Sequence, residues 1–159
     1  MTTSTDTSIV RRSVVVDAPV DRAFAFFTRD IGKWWDASKH LLQEPLAEMV
    51  FEPHVGGHIV DRGVSGAESR WATVLVYHPP THVAFSWDID LSWQIETDPA
   101  RRSEVHVTFT AEGERRTLVE LEHRHLDRHG DGWEAMRDAV GAPNGWDLEP
   151  YAKAISGVS

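Results

Sequence analysis

The stretch Val83-Ala84-Phe85-Ser86-Trp87-Asp88-Ile89-Asp90-Leu91-Ser92-Trp93-Gln94-Ile95 decides the fold. Every odd position carries an apolar side chain and every even one a small or polar group. Side chains on an extended strand alternate between two faces, so this pattern predicts a strand with one buried and one solvated face. Strands are usually shorter than this run, and a bulge or bend is therefore expected near Asp88–Ser92. The solvated reading also puts Asp88 and Asp90 on the outer face, away from any catalytic carboxylate role.

On either side of this run the same rhythm continues, broken at turn formers. Upstream, Leu46–Glu52 and His58–Val64 are separated by Pro53 and Gly56-Gly57, and Ser69–Tyr77 ends at Pro79-Pro80. Downstream, Asp98-Pro99 turns the chain, Val105, Val107 and Phe109 alternate, and Gly113 marks a hairpin. Val119 and Leu121 then continue with His123 and His125 assigned to the same face. Such a succession reads as an antiparallel meander.

Helical spacing flanks the meander. Ile9–Val16 is a β-branched strand that stops at Asp17-Ala18-Pro19, and Pro19 suits a first helical position. Val20, Ala23, Phe24 and Phe27 follow at i, i+3, i+4 and i+7, one apolar stripe, with Gly32 ending the pattern and Ile31, Trp34 and Trp35 clustered beside it. After Gly130 the helical period returns in Trp133, Met136, Arg137 and Val140. Gly141 to Gly145 interrupts it, and Leu148, Tyr151, Ala152 and Ile155 resume it. Strand, helix, a long antiparallel run and terminal helices define the α+β class, with helices on one face of the sheet. Residues 1–8 are too polar to offset the entropy of ordering and are expected to be a disordered tail, leaving 9–159 as one domain.

Composition narrows the functional classes. A chain of 159 residues buries about 70% of its unfolded surface and needs no staple. It has no cysteine, which excludes disulfides, thiolate metal sites and cysteine nucleophiles. Sixteen Lys and Arg stand against 25 Asp and Glu, a net charge of −9, so neither nucleic acid nor an anionic membrane is an expected partner. No apolar run reaches the roughly 18 residues of a membrane span, and a soluble cytoplasmic protein is the expectation. Phosphate loops, dinucleotide fingerprints and zincin helices are missing from the sequence, and no cofactor is expected. Gly63-Val64-Ser65-Gly66-Ala67 falls one residue short of a nucleophile elbow and lies between strands.

Several pieces, in order, resemble the START-like (SRPBCC) superfamily, in the branch related to the activator of heat-shock-protein ATPase. They are Val16-Asp17-Ala18-Pro19 with Phe24 and Phe27, Trp34-Trp35, and Phe51-Glu52-Pro53-His54-Val55-Gly56-Gly57. Further along come Pro79-Pro80 before Val83-Ala84-Phe85-Ser86-Trp87, Glu104–Phe109, Leu118–Arg124 and Gly145-Trp146. The resemblance covers roughly residues 9 to 155. It implies a helix-grip fold, a curved antiparallel sheet wrapped around a long C-terminal helix, with a cavity between them. Members bind lipids, hormones or polyketides there, and a minority catalyse cyclisation. The extra N-terminal domain of the co-chaperone that names the branch is expected to have no counterpart before Ile9.

Seven tryptophans mark that interior as aromatic. Wide, flat side chains suit an apolar pocket with a few polar handles, although they could equally fill the interior solid. The candidate ligand-binding residues are Trp34, Trp35, Phe51, Trp71, Phe85, Trp87 and Trp93, with Val119, Leu121, His123, Trp133, Met136 and Tyr151. His123 or Tyr151 would orient a polar atom of the ligand, against the plainer reading of His123 as a hydrogen-bonded core residue. His123, His125, His129 and Asp131 are the candidate metal ligands, but residues two apart on a strand diverge, and no metal is expected. The resulting expectation is a non-enzymatic binder of a small hydrophobic or amphipathic molecule. The alternatives are a cyclase- or hydratase-type enzyme in the same cavity, or a protein-interaction module, a co-chaperone relative or a homodimer.

Overall fold

A computed structural model describes residues 8–35, 40–143 and 145–156. Residues 1–7 of the expected disordered tail lie outside them. Seven antiparallel strands form one sheet: β1 (Val10–Val16), β2 (Leu46–Phe51), β3 (His58–Gly63), β4 (Glu68–His78), β5 (His82–Trp87), β6 (Ser103–Gly113) and β7 (Arg116–Arg124), in the order β1-β7-β6-β5-β4-β3-β2. Between β1 and β2 run α1 (Val20–Thr28) and α2 (Ile31–Trp34), and after β7 come α3 (Trp133–Val140) and α4 (Glu149–Ser156). No described helix is long and apolar enough to cross a membrane.

The predicted alternation sets the concave face. Val83 pairs with Val107 and Val107 with Leu121, while Phe85 pairs with Val105 and Val105 with His123. All six are buried in rows that run across the sheet. Register shifts at Leu46/Glu48, Ile59/Val60 and Val74/Val76 interrupt the ladders of β2 to β5. Each adds local twist, and together they curl the sheet into a half-barrel.

One half of that hollow is solid. Phe24 and Phe27 of α1 meet Phe109 edge-on at 5.2 and 5.7 Å, and Tyr151 packs on Phe27 and Trp34. The Tyr151 hydroxyl donates to the Ala23 carbonyl at 2.7 Å, tying α4 to α1. The α+β helix-grip fold is thus present, with one difference in its grip. The C-terminal helical arm is two eight-residue helices, divided at 141–148 where the sequence places its glycine-bounded interruption.

The long alternating run corrects the sequence reading in two places. β5 ends at Trp87, and from Ile89 to Ile95 the chain forms a separate hairpin closed by an Ile89–Ile95 bridge. Trp93 and Ile95, assigned inward by alternation, are 47% and 38% exposed. The Asp90 carboxylate accepts the amides of Ser92 and Gln94 at 2.8 and 2.9 Å, and that turn takes the strand off the sheet. Asp88, read as solvated, is only 2% exposed. Hydroxyls of Ser86 and Thr73 donate to it, and Arg102 Nε lies 3.2 Å away. Burial raises its carboxyl above the ordinary range, against the pull of these partners.

Candidate functional site

Where the aromatic plug stops, a chamber of about 510 Å³ opens between β4, β5 and the end of α3. Trp35, Trp71, Trp87 and Trp146 are part of its wall. Their rings touch in a closed circuit: Trp35 to Trp71 at 5.3 Å, Trp71 to Trp87 at 5.6 Å, Trp87 to Trp146 and Trp146 to Trp35 at 5.7 Å. Ile89 and Val140 add aliphatic surface, and His40, Leu41 and Trp93 stand where the chamber meets a wider outer groove. A volume in this range suits a drug-sized ligand, for which roughly 300–1,000 Å³ is usual.

Two of these indoles are held from behind by buried polar groups. Trp71 donates its N–H to Asp61 Oδ1 at 3.0 Å, and Trp146 donates to His123 Nδ1 at 3.0 Å. An indole nitrogen can only donate, so His123 carries its proton on Nε2 and gives it to Ser103 Oγ at 2.7 Å. The serine hydroxyl then donates to His129 Nε2, also at 2.7 Å. All three members of this chain are buried. Burial drives His123 down to about 3, with the neighbouring His129 adding to the shift, so the ring is neutral at physiological pH. Burial pushes Asp61 up to about 6, while the Trp71 hydrogen bond and the charge of His40 draw it back.

The Trp146 segment has a second anchor. Arg12 on β1 donates from Nε to the Trp146 carbonyl at 3.0 Å and from Nη2 to the Gly141 carbonyl at 2.6 Å. Gly145 fits where nothing larger does, since a Cβ there would collide with the carbonyl oxygens of Ala139 and Val140.

Of the thirteen residues read from the sequence as ligand-binding, Trp35, Trp71, Trp87 and Trp93 line the chamber. Phe85 and Trp34 lie one layer behind, packed edge-on or tilted against Trp71 and Trp35. Phe51 packs on Tyr77, and Val119, Leu121 and Met136 are buried core. Trp133 lies under the Arg137 guanidinium at 5.2 Å. His123 and Tyr151 spend their polar atoms on Trp146, Ser103 and the Ala23 carbonyl. His125 ends the strand in a left-handed conformation and is exposed, so it does not share His123's face. Among the described residues no three His, Asp or Glu side chains are grouped to hold a metal.

The sequence reading missed Trp146, His40 and Leu41 as wall residues, and Asp61 and Arg12 as supports. Gly145-Trp146 was a visible motif, but nothing local ties Asp61 to Trp71. The chamber has few polar atoms of its own. Trp87 lines it and carries a buried N–H with no partner among the described residues, as does Nδ1 of His40. It can grip a flat apolar body and offers little to a small polar one.

A curled antiparallel sheet gripping helices around such a chamber is the architecture of the START-like (SRPBCC) superfamily, to which polyketide cyclases belong. The family model described as "Activator of Hsp90 ATPase homolog 1-like protein" matches residues 17–148, and the chain belongs to that family. Among solved structures it is similar to the anthrahydroquino-Gama-pyrone synthase Txn09 complexed with SUM. The identity is 39% over 92% of this chain and 96% of that one, with a TM-score of 0.67. It is also similar to the self-sacrificing resistance protein CalC from Micromonospora echinospora, at 26% identity over 95% and 96% of the two chains, TM-score 0.62. Protein NE0264 from Nitrosomonas europaea shares the fold, with TM-score 0.67 at 12% identity over 97% and 98% of the chains. No curated protein matches the chain.

Proposed function

We propose that this protein binds a flat, polycyclic aromatic molecule of anthraquinone size, with its rings laid against the tryptophan wall. The observation that carries this reading is the contacting cluster of Trp35, Trp71, Trp87 and Trp146 in the lining of a chamber of about 510 Å³. Aromatic faces stack offset or edge-on, and each stacked pair adds about 0.5–1.5 kcal/mol to the burial of apolar area. Anchoring the indoles of Trp71 and Trp146 before binding means that little ordering remains to oppose association. The similarity to a synthase acting in anthrahydroquinone chemistry points to the same ligand class.

Titration with 1,8-dihydroxyanthraquinone tests this, read by tryptophan emission and calorimetry. The expected result is saturable quenching with one site per chain and a dissociation constant in the micromolar range or below. Unsaturable quenching, or none, refutes the reading.

The 39% identity to that synthase also favours a second reading, a cyclase working in the same chamber. Its test is incubation with a hydroxyanthraquinone bearing an ortho β-diketone side chain. Attack of the phenol oxygen on the distal carbonyl carbon, followed by loss of one water, gives a pyrone lighter by that water. Turnover no faster than in buffer rejects catalysis while leaving binding in place.

A further inference from the structure

The chamber adjoins a broad groove of about 1,090 Å³, and the two share His40, Leu41 and Trp93. Their linings differ in kind. The chamber is walled by indoles and aliphatic side chains, whereas the groove presents Gln43, Glu44, Arg70 and Gln94 around the half-exposed faces of Trp93 and Ile95. Ser69, itself buried, also lines it, and its hydroxyl has no partner among the described residues.

Trp93 has a backbone φ of 60°, in the left-handed region that bulky residues avoid. The Asp90-capped hairpin holds it there, with its amide on the Asp90 carbonyl at 3.0 Å. This conformation keeps a large aromatic face at the junction of the two spaces, where a relaxed strand would have turned it inward.

We propose that the groove seats a hydroxyl-rich, sugar-like arm of the same ligand whose flat ring system occupies the chamber. The inference rests on the reading of the chamber given above and adds the amphipathic character of the molecule. A pyranose places its C–H face on an indole and shares its hydroxyls among amide, carboxylate and guanidinium groups. Trp93 supplies the first surface, and Gln43, Gln94, Glu44 and Arg70 supply the second. Two carboxylates, Glu44 and Glu68, stand against the one guanidinium of Arg70 in the groove, which disfavours a phosphate. Both are already engaged, Glu44 by Ser65 and Glu68 by Arg62 and Arg70, which leaves little for a polyamine and suits a neutral arm. A continuous trough explains why Trp93 lines both spaces.

The test compares 1,8-dihydroxyanthraquinone with its mono-O-glucoside by calorimetry, on the wild-type protein and on an Arg70→Ala, Gln94→Ala double variant. Both positions are exposed and neither lines the chamber. The expected result is about tenfold tighter binding of the glucoside to the wild type. The double variant should lose that advantage and keep its affinity for the bare ring. Equal or weaker binding of the glucoside, with the bare ring still bound, overturns this inference alone. Failure of the bare ring to bind overturns the reading of the chamber and this inference with it.

Discussion

Trp146 and His123 meet at 3.0 Å, indole N–H to imidazole Nδ1, and this contact turns a chamber wall into a fixed surface. His123 is buried behind the wall and its other nitrogen is held by Ser103. Trp146→Phe keeps an aromatic face but leaves Nδ1 buried without a donor, at a cost of about 1–3 kcal/mol. Denaturant titration should show that loss, while affinity for 1,8-dihydroxyanthraquinone stays within about threefold. Trp146→Ala removes the wall itself and should abolish binding. Equal stability of Trp146→Phe and wild type would mean that the hydrogen bond contributes nothing.

Two buried groups titrate in opposite senses. The folded state holds His123 neutral down to about 3, so below the ordinary histidine range the unfolded chain binds the extra proton, and stability falls as pH drops from about 6.5. Asp61 is raised to about 6, so the folded state binds the extra proton between roughly 4 and 6, and stability falls as pH rises through that window. Each slope is about 1.4 kcal/mol per pH unit, and the two cancel between pH 4 and 6.

Each single variant should therefore unmask the other group. In Asp61→Asn, stability measured by urea unfolding should decline steadily on acidification from pH 6.5. In His123→Asn it should instead rise between pH 6 and 4. Profiles for both variants that run parallel to wild type would remove these groups as determinants.

Arg12 reaches across from β1 to the carbonyls of Gly141 and Trp146. Hydrogen bonds from a charged donor contribute about 1.5–3 kcal/mol, and the half-buried guanidinium places Arg12→Ala at the lower end. Loss of the anchor frees the segment that carries Trp146, so anthraquinone affinity should drop about tenfold. Arg12→Lys, which cannot span both carbonyls in one plane, should recover only part of it. Unchanged affinity in Arg12→Ala would show that the segment is held without this clamp.

Gly145→Ala presses a methyl group against the carbonyls at the end of α3. The segment must shift, and the chamber shifts with it. Destabilisation of about 1–3 kcal/mol, together with a shift in the protein's tryptophan emission, is the expected outcome. Wild-type stability and emission would count against a tight fit.

The strands were legible because burial on one face writes a period of two into the residues. Val83, Phe85 and Trp87, then Val105, Val107 and Phe109, then Val119 and Leu121, all point where alternation put them. The same signal failed at Trp93 and Ile95, past the bend that the length of the run predicts near Asp88–Ser92. Alternation persists to Ile95 in the sequence, but a strand lasts only as long as its neighbours supply hydrogen bonds, and the last pair in the ladder is Trp87 with Ser103. Polarity likewise misplaced Asp88, because Thr73 and Arg102, which make its burial tolerable, come from elsewhere in the chain.

Beyond the helix-grip architecture that its resemblance to the START-like superfamily implied, the sequence by itself determined the α+β class with helices on one face of an antiparallel sheet, the position of the break in the C-terminal helices and the aromatic character of the interior. These follow from local periodicity and composition, which each segment carries wherever it ends up. Only the tertiary structure decided which half of the hollow is solid and which is open. It also decided that Trp71 and Trp146 are pinned by Asp61 and His123, and that Trp93 stands at the mouth. Those outcomes depend on the curl of the sheet and on contacts between residues as far apart as Arg12 and Trp146, and no local pattern encodes such distances.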